Sequence, residues 1–333
     1  MSISFKSLEG QCMRISGVTY AVRKTHRTRN IILTVTILLL AAILAVVILS
    51  GYKSWTLLHP ERKPIDTFSA NIVPEYRDIS FKGEDTSIIL KGWLFQAKNS
   101  DRGIILVHSY GSNRLQFGMK TVDLIKEFLN KGYNVFTFDL RNSGESDGKD
   151  TTLGYSEKED VLAAIKYMSD QGSKHITLMG FSTGAAASIL AAADSENAYG
   201  KNVDAVIADS PYADLKDYLS KSLNKRTHLP SFPFNKTIAL AMEVSGIDFD
   251  KASPVNALAA ERPPHMLIIH GREDKLIPIE NSIELYQKYS ALNSSGAEFW
   301  MTKDSGNATS FENFTEEYME RVFAFLDKVY PGE

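Results

Sequence analysis

The chain has 333 residues, of which 44% are hydrophobic and 23% are charged, and its net charge is -3. This composition is typical of a globular protein. The nearly balanced charge offers no electrostatic attraction for nucleic acid, so no nucleic-acid partner is predicted. No cluster of His, Cys and carboxylate residues has the spacing of metal ligands, so the sequence predicts no metal and no cofactor.

The first distinctive segment is residues 31–50, which carry no charge over twenty positions. As a helix with a rise of about 1.5 Å per residue it would reach about 30 Å, the thickness of the hydrocarbon core of a bilayer. A buried soluble helix and a cleaved signal peptide are the alternatives. The apolar core of a signal peptide is usually shorter, about 7–15 residues, and no A-x-A-like cleavage site follows here. We therefore predict an uncleaved signal-anchor that inserts in the membrane.

The charges on either side of this segment predict its orientation. A single acid, Glu9, precedes it, together with an excess of bases: Lys6, Arg14, Arg23, Lys24, Arg27 and Arg29. By the positive-inside rule, residues 1–30 form a basic cytoplasmic tail and the chain after Gly51 lies outside, in a single-pass protein of the cell membrane. The only cysteine, Cys12, falls in the tail. Because the outer domain can form no disulfide, we favour a bacterial cell-surface protein.

Residues 51–76 read as a linker because they combine three prolines with mixed charges. Residues 77–330 are then of normal size for one domain. A hairpin of strands 79–82 and 87–95 is followed by alternating strands and helices. The further strands are predicted at 103–107, 133–138, 175–179, 203–208, 265–269 and 298–301, and the helices at 117–130, 155–168, 280–289 and 316–328. This alternation predicts an α/β fold with a mainly parallel eight-stranded sheet flanked by helices. Ligands of such sheets bind at the carboxyl ends of the strands.

The pentapeptide Gly180-Phe181-Ser182-Thr183-Gly184 lies between a predicted strand and an alanine-rich helix. A G-x-S-x-G motif in this context is typical of a nucleophile elbow, in which glycines allow a sharp turn and the serine stands exposed above the sheet. The Thr183 N–H, at the start of the helix, would be free to bind an oxyanion. The alternative is a glycine-rich turn whose serine only caps the helix.

Four further loops follow predicted strands in a fixed order. They begin at His108-Ser109-Tyr110-Gly111, Asp139-Leu140-Arg141, Asp209-Ser210-Pro211 and His270-Gly271-Arg272-Glu273-Asp274. Together with the elbow they resemble the α/β-hydrolase superfamily, in its serine aminopeptidase-like and prolyl-oligopeptidase-like branch. The resemblance covers about residues 77–330, with a lid insertion at about 212–250.

The resemblance implies a role for several residues. Ser182 matches the nucleophile, and Asp274 matches the acid that orients a catalytic histidine. Thr183 and either Ser109 or Tyr110 would supply the N–H groups of the oxyanion hole. Asp209 is a competing acid, although its Asp-Ser-Pro-Tyr context favours a capping turn. In the family the loop at 108 usually begins His-Gly, whereas this chain has a serine there.

The resemblance also implies a catalytic histidine before the last helix, and none is present. The seven histidines are at positions 26, 59, 108, 175, 228, 265 and 270, and Asn307 stands at the expected position. Asparagine has no titratable nitrogen near neutrality and cannot accept the serine proton. The family gives His108 and His270 structural roles, which leaves His228 in the lid as the free candidate.

Two functions remain open at this point. The first is a membrane-anchored serine hydrolase that acts on a small acyl ester or a peptide-like substrate and lacks its general base. The second is a catalytically inactive pseudo-hydrolase that binds a ligand or a partner at the cell surface. Ser182, Asp274 and the oxyanion loops favour a site that binds, and Asn307 disfavours efficient turnover.

Overall fold

The structure, a computed structural model, describes residues 13–15, 18–20, 24–67, 72–83, 87–194, 202–258, 264–293 and 295–331. The chain divides into two compact units, Met1–Ser50 and Gly51–Glu333. In the first, strands β1 (Met13–Ile15) and β2 (Val18–Tyr20) pair in antiparallel orientation. Helix α1 (Lys24–Leu58) begins in the first unit, and its residues 51–58 belong to the second.

Helix α1 contains the segment predicted to enter the membrane. Its residues 31–50 carry no charge and include neither proline nor glycine, so nothing in this stretch interrupts the helix. The most apolar 18-residue window has a mean hydropathy of 3.2 and is not buried. The helix is therefore long and apolar enough to cross a membrane.

The second unit is built on one eight-stranded sheet. Its strands are β3 (Arg77–Lys82), β4 (Ile89–Phe95), β5 (Arg102–Val107), β6 (Asn134–Phe138), β7 (His175–Phe181), β8 (Val203–Asp209), β9 (His265–Gly271) and β10 (Ala297–Thr302). The helices are α2 (Met119–Asn130), α3 (Glu157–Asp170), α4 (Thr183–Ala192), α5 (Leu215–Ser222), α6 (Asn224–Thr227), α7 (Ser231–Val244), α8 (Pro254–Ala257), α9 (Glu280–Leu292), α10 (Ser310–Asn313) and α11 (Thr315–Val329).

The strand order is β10-β9-β8-β7-β5-β6-β4-β3. All pairs from β10 to β6 are parallel, and the hairpin β3–β4 joins the edge in antiparallel orientation. The predicted fold class is confirmed. Because the parallel strands run in one direction, the loops after β5, β7, β8, β9 and β10 meet at one edge of the sheet.

Helices cover both faces of the sheet, which explains why every residue of β6 is buried. One face packs against α3, α4 and α9, and the other against α2 and α11. A third apolar cluster lies under the segment that was predicted as a lid, and it combines side chains of α5 and α7 with Leu57 and Leu58 at the end of α1.

The segment predicted as a linker differs in the structure. Leu58 is 6% exposed, and its carbonyl accepts a hydrogen bond from the N–H of Thr151 at 2.8 Å. The guanidinium of Arg62 donates to the carbonyls of Ser146 and Gly148 at 2.7 and 2.6 Å. The prolines and mixed charges predicted a linker, whereas Leu58 and Arg62 in this segment contact the rest of the second unit.

Candidate active site

The elbow serine lies between a strand and a helix, as the motif predicted. Strand β7 ends at Phe181, α4 begins at Thr183, and Ser182 between them has φ 53° and ψ -116°. A positive φ is costly for a residue with a side chain and is found where surrounding structure enforces a sharp turn. The N–H of Ser182 donates to the carbonyl of Asp209 at 2.7 Å, which ties the turn to the neighbouring strand.

The two glycines of the motif are required by close backbone approach. A Cβ on Gly184 would lie 2.3 Å from the carbonyl oxygen of His108, and a Cβ on Gly180 would lie 2.5 Å from Cα of Ala185. Neither contact is sterically acceptable. The glycines therefore allow α4 to start directly against β7 and β5.

One feature of the elbow differs from the prediction. Ser182 is 1% exposed, whereas the motif predicted an exposed serine. The loop after β5 crosses the elbow, because the N–H of Tyr110 donates to Oγ1 of Thr183 at 2.8 Å. This loop accounts for part of the burial.

The carboxylate of Asp274 is held in the turn after β9 by hydrogen bonds to both oxygens. Its Oδ1 accepts from the N–H groups of Leu276 and Ile277, each at 2.9 Å. Its Oδ2 accepts from Nδ2 of Asn307 at 2.8 Å. The side chain has no exposed surface, so its orientation is fixed by these donors.

Asn307 lies in the loop after β10 and is half-buried. Its amide N–H binds Asp274 as the Nδ1–H of a triad histidine binds the triad acid. The amide offers one carbonyl oxygen as an acceptor, but no nitrogen that takes up a proton near neutral pH. The structure thus brings together the two residues that the sequence had placed on separate loops.

Among the described residues, the side chain of Asp209 is hydrogen-bonded to neither Asn307 nor the acid turn, and it links other elements instead. Its Oδ1 accepts from the hydroxyl of Ser210 at 3.2 Å, and its Oδ2 accepts from the hydroxyl of Tyr318 at 3.2 Å. Burial raises the pKa of Asp209 to about 7. The Ser210 oxygen also accepts from the N–H of Ala308 at 3.0 Å, so Asp209 and Ser210 connect the elbow to the Asn307 loop.

The N–H groups that the sequence assigned to the oxyanion hole have different surroundings. Thr183 is the first residue of α4, so its N–H is one that the helix itself leaves unpaired. The N–H of Tyr110 is bonded to Oγ1 of Thr183, and that of Ser109 donates to Oε1 of Gln116 at 2.8 Å. A rotation about χ1 of Thr183 would release the Tyr110 N–H. Sequence reasoning missed Gln116 and the Thr183 hydroxyl because neither belongs to a motif.

Two histidines near the site already use both ring nitrogens. Nε2 of His108 accepts from the N–H of Leu140 at 2.9 Å, so Nδ1 carries the proton and donates to the carbonyl of Ser109. Nε2 of His270 donates to the carbonyl of Ile277 at 3.0 Å, and Nδ1 accepts from the hydroxyl of Ser282. Burial lowers the pKa of both rings. Both therefore hold loops together in the neutral form.

The third histidine, His228, is exposed at the carboxyl end of α6, where its φ is 58°. A ring in this position is solvated. Its surroundings give no support for a role as a buried general base.

Comparison with known proteins gives a consistent result. Residues 96–289 match the family model described as BD-FAE. The uncharacterized protein YqkD of Bacillus subtilis is 26% identical over 243 residues, which cover 72% of this chain and 76% of YqkD. The chain spans 63% or less of the length of several other relatives.

Two solved structures show the same fold. The esterase Pf2001 of Pyrococcus furiosus is 28% identical, with a TM-score of 0.65 over 82% of this chain and 98% of the esterase. The acylaminoacyl peptidase of Pyrococcus horikoshii is 19% identical, with a TM-score of 0.56 over 79% of this chain and 42% of the peptidase, a likeness of fold alone. The chain therefore belongs to the BD-FAE family, in the peptidase-like branch of the α/β-hydrolase superfamily.

Proposed function

We propose that the second unit carries the site of a serine hydrolase for acyl esters or peptide-like bonds, and that in this sequence the site lacks its general base. The observation that carries the proposal is the hydrogen bond of 2.8 Å between Asn307 and Asp274. It supports an acid and a third member in the relative positions of a triad, and Asp209 and Ser210 connect the elbow serine to the same loop. The esterase and peptidase neighbours support the substrate class.

The proposed roles follow from the geometry. Oγ of Ser182 attacks the carbonyl carbon, and the N–H groups of Thr183 and of Tyr110 or Ser109 stabilise the resulting oxyanion. Asp274 would orient an imidazole at position 307, which would accept the serine proton and return it to the leaving group. With asparagine there, turnover falls by about 10⁴- to 10⁶-fold, and oxyanion stabilisation and substrate binding remain.

A second function is favoured by one specific observation. The N–H groups of Ser109 and Tyr110 are both occupied by side-chain oxygens, those of Gln116 and Thr183. An oxyanion hole filled in this way favours a pseudo-hydrolase that holds a ligand without turning it over. The two functions can be distinguished by whether a general base introduced at position 307 restores ester hydrolysis.

We further propose that α1 anchors the chain in the cell membrane through residues 31–50, with residues 1–30 in the cytoplasm and residues 77–330 outside. Two features support this arrangement: the apolar length of α1 and the excess of bases before it. A bacterial cell surface remains the proposed location.

The experiment that tests the proposed chemistry compares the full chain in neutral detergent micelles with its Asn307→His variant on a short activated acyl ester. We expect Asn307→His to raise kcat/KM by about 10²-fold or more, because an imidazole bonded to Asp274 supplies the missing base. Asn307→Gln, which keeps an amide, is the matched control and should stay at the starting rate.

The Ser182→Ala change, made together with Asn307→His, should abolish the gain. If a folded Asn307→His protein remains as slow as the original chain, the hydrolase proposal fails and the ligand-binding function takes its place.

A further inference from the structure

A cation from the lid segment lies against the proposed oxyanion loop. The guanidinium carbon of Arg226, in α6, is 4.7 Å from the centroid of the Tyr110 ring. The backbone N–H of Tyr110 binds Thr183, which follows Ser182 in the chain. The side chain of Tyr110 thus lies between the charge of Arg226 and the elbow.

One buried donor of the Arg226 guanidinium lacks a partner among the described residues. Its Nε is buried and makes no hydrogen bond among the described residues. None of the ion pairs among the residues that the structure describes includes Arg226. Two other shielded arginines, Arg114 and Arg141, are each paired with a buried aspartate. Because buried donors in folded proteins almost always have a partner, the unpaired Nε of Arg226 is available to a bound group.

A second buried donor without a partner lies on α5, the helix that precedes α6 in the chain. Tyr218, in α5, is 2% exposed, and its buried hydroxyl makes no hydrogen bond among the described residues. Its ring stacks on that of Tyr212, whose own hydroxyl is satisfied by the carbonyl of Leu153. Burial raises the pKa of Tyr110, while Arg226 lowers it and Tyr218 raises it, so both groups are within electrostatic reach of Tyr110.

We propose that Arg226 and the hydroxyl of Tyr218 form an anion subsite beside the oxyanion loop, and that it holds a carboxylate or phosphate group on the substrate. A guanidinium and a phenol together donate the hydrogen bonds that such an anion accepts. Partial burial strengthens the charge-assisted bond. The link to hydrolysis rests on the proposed function, whereas binding of the anion does not.

The first test measures equilibrium binding of n-butyl phosphate to the full chain in neutral detergent micelles by phosphorus NMR. We expect Arg226→Gln to weaken binding by about 10- to 100-fold, because it removes a charge-assisted hydrogen bond. Tyr218→Phe should weaken it by about 2- to 10-fold. Lys225→Gln is the matched control, since it removes the same charge from the exposed neighbouring position of α6, and it should change binding by less than about 2-fold.

Three results would overturn the subsite. The first two are no binding of n-butyl phosphate by the original chain, and a loss of binding in Lys225→Gln as large as that in Arg226→Gln. The third is a loss of binding in Arg226→Gln that accompanies a loss of thermal stability and that Arg226→Lys does not restore. Binding of inorganic phosphate, measured in the same way, shows whether the site takes a free anion or an anionic group on a substrate. If inorganic phosphate binds as tightly as n-butyl phosphate, the site takes a free anion and the substrate part of the proposal is wrong.

The second test separates this proposal from the hydrolase proposal. In the Asn307→His protein, Arg226→Gln should lower kcat/KM for mono-p-nitrophenyl succinate by about 10-fold or more and leave that for p-nitrophenyl pentanoate within about 2-fold. If the Asn307→His protein hydrolyses neither ester faster than the original chain, while binding of n-butyl phosphate still depends on Arg226, the hydrolase proposal fails and the anion subsite stands. If Asn307→His restores hydrolysis and Arg226→Gln leaves the ratio of kcat/KM for the two esters unchanged, the subsite proposal is wrong and the hydrolase proposal stands.

Discussion

Asp209 joins three parts of the candidate site through its backbone carbonyl and its buried carboxyl group. Its backbone carbonyl fixes Ser182, and its side chain accepts hydrogen bonds from Ser210 and Tyr318. Among the described residues no cation lowers its pKa, and burial raises that pKa to about 7. The folded protein therefore holds a proton there at a pH where an unfolded chain would have released it.

The pH dependence of stability follows from this shift. Between about pH 4, the pKa of an unfolded aspartate, and about pH 7 the folded state binds more protons, so the free energy of unfolding falls as the pH rises and levels off above 7. From pH 5 to pH 8 Asp209 lowers the free energy of unfolding by about 3 kcal/mol.

The Asp209→Asn variant tests this contribution, because an amide does not titrate. Thermal unfolding at pH 5 and pH 8 should show a smaller difference in Asp209→Asn than in the original chain. Asp160, whose pKa burial raises to about 6, contributes in the same direction to both proteins and cancels in the comparison. An equal difference in the two proteins would show that Asp209 is ionised in the fold.

Asn307 shows how a single residue can keep the geometry of a site and lose its chemistry. Both asparagine and histidine can donate an N–H to Asp274, which is why the acid turn and the Asn307 loop fit together without the imidazole. The counting of histidines in the sequence identified the missing base. The hydrogen bond itself depends on the fold, which places β9 and β10 side by side.

At the scale of elements, the elbow depends on the distance between a helix and two strands. Gly184→Ala would place a Cβ 2.3 Å from the backbone carbonyl oxygen of His108, in the loop after β5. Because that oxygen belongs to the backbone, the clash can be relieved only by moving α4 or the loop. We expect a loss of about 3 kcal/mol or more in the free energy of unfolding. Thermal and urea unfolding of the full chain measure it.

Gly306→Ala is the control for this prediction. A Cβ there would meet Oγ1 of Thr309 at 3.8 Å, an ordinary van der Waals contact, so stability should change by less than about 0.5 kcal/mol. Similar losses in the two variants would mean that close packing at Gly184 is not what the elbow requires.

The strands could be predicted from local patterns, because each is a run of consecutive residues, and the candidate elbow was found in the same way. Short apolar runs gave the strands, and G-F-S-T-G gave the elbow. The burial of Ser182 could not be predicted in this way, since it comes from a loop distant in sequence. The same holds for Gln116, whose side chain reaches Ser109, and for Arg226, whose place on Tyr110 depends on how the lid segment packs.

The loop after β6 illustrates the same limit. The sequence indicated a loop that begins at Asp139-Leu140-Arg141, and the structure shows what shapes it. Asp139 accepts hydrogen bonds from the buried guanidinium of Arg114, and a Cβ on Gly144 would lie 2.2 Å from its carboxylate. The partner Arg114 follows β5, and no local pattern pairs the two.

At the scale of the whole molecule, Cys12 provides a direct test of the proposed orientation. It is the only thiol in the chain, and the positive-inside rule assigns it to the cytoplasm. In intact cells that express the full chain, a membrane-impermeant maleimide should leave Cys12 unlabelled, and permeabilisation should allow labelling.

A matched control carries an added cysteine in the second unit, Ser245→Cys, at an exposed position. This residue should react in intact cells. The reverse labelling pattern would mean that the second unit lies in the cytoplasm, and the surface location would then be wrong.

The last residues of α1 are part of the second unit rather than a tether to it. Tyr110 donates a hydrogen bond to the carbonyl of Leu57, and Leu57 and Leu58 complete the apolar cluster under the lid segment. This arrangement restricts how the domain can be shed. If α1 is anchored in the membrane as proposed, a protease that cuts within residues 59–67 leaves these two leucines behind on the membrane stub, and the released fragment loses a contact of the loop after β5. Shedding of an intact domain requires a cut before Leu57.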